Sequence, residues 1–144
     1  MSRPTLRPRK TPCASCPFRK DCPSGVWSEA EYDKLPGYDG PTYAQSPTVF
    51  FCHLSPEEAC GGWTATFDMA QNLGLRIISA GYEVDWDAFI DYKTTVAVFS
   101  SGAEAAEHGK AMIEYPPEEA EAAIAKIAKQ RAVTGKPVRY AKDQ

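Results

Sequence analysis

The sequence is short of most features that announce a function. Its 144 residues include only two histidines, His53 and His108. No apolar run approaches the roughly 20 residues needed to span a bilayer, so no membrane-crossing helix is expected. The basic, proline-containing N-terminus (Arg3, Pro4, Arg7, Pro8, Arg9, Lys10) is not followed by the apolar segment of a secretory signal, which points to the cytosol. There is no phosphate loop, no acid–base pair and no internal repeat. Ser100-Ser101-Gly102 does not make the G-x-S-x-G elbow of a hydrolase, and no His–Asp partner pattern accompanies it. Asp85, Asp87 and Asp91 lack the glycine and closing glutamate of a calcium loop. A non-enzymatic role is therefore expected.

What the chain does have is cysteine. Cys13, Cys16 and Cys22 form one group, and Cys52, His53 and Cys60 form another. In a reducing compartment lasting disulfides are rare, so clustered thiols point to metal ligation or redox chemistry, and five cysteines cannot all pair. Cys13 and Cys16 have the C-x2-C spacing that lets two thiolates of one tight turn face one ion. The complement must come from the second group. Cys13, Cys16, Cys52 and Cys60 would satisfy a tetrahedral zinc or an iron–sulfur cluster. His53 is an alternate ligand, but neighbouring residues on a strand point to opposite faces, which favours Cys52. Cys22 is the other alternate. Pro17 and Pro23, each following a cysteine, resemble the Cys-Pro pairs around some iron–sulfur clusters.

The stretch from Cys13 to Asp21, the following Pro23 to Trp27, and the later Phe51-Cys52-His53 and Cys60-Gly61-Gly62-Trp63 resemble an uncharacterised family of small proteins from actinobacteria and their phages, a domain of unknown function. The likeness covers the first half of the chain well and Ser101 to Gly109 more loosely. It implies that the recurring cysteines are Cys13, Cys16, Cys52 and Cys60, with His53 beside them. Cys22 departs from the pattern, where an apolar residue is usual. The resemblance implies no activity.

Charge is unevenly distributed. Residues 1–20 carry six basic and no acidic side chains, so a net charge of −3 divides into +6 and then −9. A basic arm suits phosphates or an acidic partner such as a host protein, whereas the acidic body disfavours nucleic acid; the arm could equally dock on that body. Arg19, Lys20 and Asp21 beside the first cysteine pair are expected to balance charge locally.

The expected fold is α+β: a small single domain with short strands and several helices around a Cys-ligated metal site, spanning 13–144 behind a flexible basic leader of residues 1–12. Ser28 and Glu31 form a capping box for a helix from Glu29 to Leu35. Thr48 to Cys52 and Thr94 to Phe99 have the composition of buried strands. Ser55-Pro56-Glu57-Glu58 has the form of a helix start. The spacing of Trp63, Phe67, Ala70, Leu73, Ile77 and Ile78 predicts one long amphipathic helix. Short helices are predicted over Asp85 to Tyr92 and from Ser100 or Ser101 to Gly109. A final one opens at Pro116-Pro117 and closes at Gly135, with Ala120, Ile124, Ile127 and Ala128 as its apolar stripe. The expected role is that of a metal-stabilised interaction or regulatory module, with an iron–sulfur redox or sensing protein as the alternative.

Overall fold

Among the described residues, 3–134 of the computed structural model, five short helices, one longer C-terminal helix and one minimal sheet are arranged around a core rich in aromatic side chains. Strand β1 (Thr5–Leu6) pairs in parallel with β2 (Glu83–Val84), in the register Thr5 to Glu83 and Leu6 to Val84. Between them lie α1 (Glu29–Asp33), α2 (Gly61–Thr66) and α3 (Leu73–Ile78); α4 (Trp86–Ile90), α5 (Gly102–Lys110) and α6 (Glu118–Thr134) follow. The architecture is α+β. Among the described residues, no helix is long and apolar enough to cross a membrane.

Capping residues decide most helix starts. Ser28, Asp85 and Ser101 each accept a hydrogen bond from the amide three residues on, satisfying a donor that the helix itself leaves unpaired. The Asp39 carboxylate reaches across to the same end of α5, accepting from Gly102 N at 2.7 Å and Ala103 N at 2.9 Å. That contact ties α5 to the 3-10 turn Leu35–Tyr38. Helix α6 docks through Ala120, Ile124 and Ile127, while Ala128 faces solvent. The predicted closure at Gly135 lies outside the described residues.

Three sequence expectations are corrected. The long helix through Trp63 and Ile78 is divided into α2, a 3-10 turn Met69–Gln71 and α3. Asp68 and Asn72 are extended, and their side chains cap the segments that follow, accepting from Ala70 N and Leu75 N. Local caps thus override a helical period, and Leu75 is buried where Ile77 is exposed. The strand-like runs at 48–52 and 94–99 make only single bridges, Phe51 to Ala59 and Arg19 to Val98. Ser55 to Glu58 form a turn closed by Glu58 N donating to Ser55 O.

The N-terminal segment read as a leader also has a defined place from Arg3 onward. Leu6 is fully buried, and β1 supplies half of the sheet. Ala59 N donates to Arg7 O and Arg9 N to Ala59 O, so residues 7–9 run beside the segment that carries Cys60. Alternating apolar side chains were too few here to reveal a strand, because its buried residues, Leu6 and Pro8, are only two.

Candidate metal centre

Two loops bring the cysteines together. The first turns tightly: Cys16 N donates to Cys13 O and Arg19 N to Cys16 O, each at 3.0 Å. Trp27, wholly buried, donates its indole N–H to Ser15 O at 2.9 Å and pins this loop to the core. The second loop is closed by Cys52 N to Glu58 O and by Cys60 N to Phe50 O, at 2.9 and 2.8 Å. These bonds pair the two arms of the loop about the Phe51–Ala59 bridge, with Glu58 opposite Cys52 and Phe50 opposite Cys60. Cys60 then caps α2, its sulfur accepting from Trp63 N at 3.5 Å.

The structure therefore brings Cys13, Cys16, Cys52 and Cys60 into one buried neighbourhood. The sulfurs of Cys16 and Cys60 are 3.4 Å apart, and Cys13 shares a hydrogen bond with Cys52. The sulfurs stand as two pairs, and among the described residues no group of three or more His, Cys, Asp or Glu side chains is arranged to hold a metal ion.

Backbone amides converge on these sulfurs. Ser15 donates to Cys13, Phe18 and Gly62 to Cys16, Leu54 and Ser55 to Cys52, and Trp63 to Cys60. In three cases the donor lies two residues after its cysteine, as happens when a chain folds around an anionic sulfur. Amide donors stabilise thiolate over thiol. The Arg9 guanidinium adds a charge 3.7 Å from the Cys52 sulfur.

In each pair one thiol is shifted down and the other up. The Cys13 hydrogen bond, the Leu54 and Ser55 amides and Arg9 lower Cys52 to about 5 against the opposing effect of burial. The same Cys13–Cys52 bond, then burial, holds Cys13 well above the usual thiol range. Burial would raise Cys16, but its bonds from Cys60, Phe18 and Gly62 together outweigh this and lower it. Burial first, then the bond to Cys16, pushes Cys60 up.

The other candidates lie apart. Cys22 is buried and pushed up to about 12 by that burial; its sulfur meets Pro23 O at 3.7 Å. His53 stacks on Trp27, with ring centroids 4.2 Å apart, and its Nε2 is 3.3 Å from Glu31 Oε2. His108, in the last turn of α5, bonds the Cys22 carbonyl through Nε2 at 2.7 Å rather than serving only the helix dipole. Arg19 forms a two-pronged ion pair with Asp21, at 2.7 and 2.8 Å, as expected for local charge balance. Sequence reasoning missed Arg9 and Gly62. Arg9 belonged to a segment without visible periodicity, and Gly62 matters through its amide bond to Cys16 and because Cys16 and Phe18 pack against its missing side chain.

A sequence model of a family of unknown function, DUF6283, matches residues 8–131. The chain belongs to that family. The match begins just before Arg9 and contains both cysteine loops and most of α6, so the DUF6283 region and the fold around the thiols largely coincide. No curated protein and no solved structure gives a significant match to the chain.

Proposed function

We propose that Cys13, Cys16, Cys52 and Cys60 are the ligands of one metal, zinc, that stabilises a small interaction or regulatory module. The observation that carries this reading is the set of amide donors directed at all four sulfurs, since such donors orient thiolate ligands and offset their charge. The donor set fits the ion: soft thiolates in a group of four are the usual ligands of structural zinc. A bound ion would be held by the four sulfurs as thiolates and would supply a fixed cross-link between the two loops. The chain's own residues do the rest: Trp27 and Ser15 fix the first loop, the Cys60 cap fixes the second, and Arg9 reduces the charge of the filled centre.

The same four sulfurs suit an iron–sulfur cluster with a redox or sensing role. The feature favouring that second reading is a surface cleft that reaches Cys52, which would give a partner access to one corner of the centre. In either case the acidic body and the exposed Arg7 at its edge suit a protein partner, a host protein included, better than nucleic acid.

The test is replacement of one cysteine from each loop. Cys13→Ser and Cys60→Ser should each reduce bound metal and melting temperature together, because metal-binding energy is folding energy in such domains. Unchanged metal content and melting in both variants would refute the proposal.

A further inference from the structure

A cleft of about 770 Å³ is lined by the N-terminal segment, the second cysteine loop and Tyr82, a size within the roughly 300–1,000 Å³ usual for ligand sites. Backbone geometry builds its walls. Along residues 5–8 the side chains alternate, so Leu6 and Pro8 are buried while Thr5 and Arg7 are exposed and line the cleft. From the cysteine loop, the turn closed by Glu58 N donating to Ser55 O carries Pro56, Glu57 and Glu58 into the lining. Phe51 and Tyr82 are half-buried: they pack on the core and also line the cleft.

The charge of this lining is one-sided. Arg7 is engaged by Asp85, with Nε and Oδ2 3.2 Å apart, and His53 by Glu31 at 3.3 Å. Glu57 and Glu58 have no ion pair among the described residues, and Glu58 acts on Arg9 only through its field. Two unmatched carboxylates beside two aromatic rings in a recess suit a flat organic cation: the carboxylates accept from its N–H groups and a ring takes its face. Pro4 and Pro56 add rigid apolar surface, the kind on which an extended, proline-containing backbone packs.

We propose that this cleft docks an extended segment of a partner protein in which an arginine is flanked by prolines. The guanidinium bonds to Glu57 and Glu58 with its face against Phe51 or Tyr82, and the flanking prolines pack on Pro4 and Pro56. An acidic segment finds no free cation here, because Arg7 is already engaged. The inference deepens the interaction-module reading and rests on it, but it does not require the ion. Full-length protein purified without oxygen is assayed for zinc and titrated, with fluorescence anisotropy as the readout, into a labelled pentapeptide carrying arginine between two prolines. The same peptide with glutamine in place of arginine is the control.

The arginine peptide should bind about tenfold more tightly than the control, and its binding should weaken as salt rises. Replacing both acids, Glu57→Gln with Glu58→Gln, should cost about tenfold in affinity, as fits two partly exposed ion pairs. Thr5→Trp, which fills the cleft from an exposed position on β1, should abolish binding while leaving the melting temperature unchanged. Failure of the arginine peptide to bind, equal binding of the two peptides, or wild-type affinity in both variants would overturn the inference and leave the metal proposal standing. Selective binding of the arginine peptide by protein that holds no metal would support the inference while refuting the metal centre.

Discussion

Replacing Gly62 by alanine probes how closely the first cysteine loop is packed on α2. A methyl group built at this position overlaps the Cys16 sulfur and comes within 2.8 Å of Phe18 Cβ. Both neighbours are wholly buried, and Phe18 is locked by edge-on contacts with Phe50 and Phe67, so neither can withdraw cheaply. Overpacking of this kind costs about 1–3 kcal/mol, and the rigid surroundings place it near the upper end. Alanine offsets at most about 1 kcal/mol through its better helix propensity. The net loss is about 2 kcal/mol, or a fall of about 4–8 °C in melting temperature for a domain of this size. Thermal unfolding by circular dichroism measures it, with Gly81→Ala as the control because a methyl there meets nothing within 4 Å. The displaced Cys16 sulfur should also reduce metal content. A Gly62→Ala protein with wild-type melting and full metal would refute the packing account and weaken the geometry of the centre with it.

Other predictions concern the rest of the chain. Deleting residues 1–10 should lower the melting temperature, since it removes Leu6, worth about 1.5–3 kcal/mol by burial alone, together with β1. Unaltered melting of the truncated chain would return this segment to the status of a leader. The His53 hydrogen bond, with Lys34 assisting, holds the Glu31 carboxyl down to about 2 against the effect of burial. A depressed carboxyl stabilises the fold above its unfolded value near 4.5, and that stability is lost as pH falls toward 2. Glu31→Gln should therefore cost about 1 kcal/mol at neutral pH, after allowance for solvent screening, and flatten the acid limb of the stability curve; an unchanged acid limb would contradict the pairing. Zinc titration of metal-free protein should release protons from the thiols, readable with a pH indicator. No proton release would contradict ligation by these thiols.

The parts of the molecule legible in the sequence were those set by neighbours along the chain. The caps at Ser28, Asp85 and Ser101 and the acidic opening of α6 depend on side chains within one turn of the backbone they serve. The tight turn carrying Cys13 and Cys16 was also readable, because the C-x2-C spacing keeps both on one loop. The division of the long helix was harder to see: the hydrophobic period continues through Asp68 and Asn72, and only their capping bonds show that the chain restarts there. The place of the N-terminal segment was not legible at all, since it rests on pairing with residues about 50 and 80 positions away, Ala59 and Glu83. The pairing of the thiols, Arg9 against Cys52, and the cleft above it are likewise products of tertiary contact. Sequence reasoning named Cys13, Cys16, Cys52 and Cys60 as one candidate set but gave no sign that they stand as two pairs.

The central claim is that all four sulfurs serve one ion. It is tested most directly by purifying the chain without oxygen, measuring zinc, iron and labile sulfide, and counting the ligands of the bound metal by X-ray absorption. The account predicts colourless protein with about one zinc per chain and four sulfur neighbours at about 2.3 Å. Protein without bound metal, or zinc held by nitrogen and oxygen instead of sulfur, would contradict it.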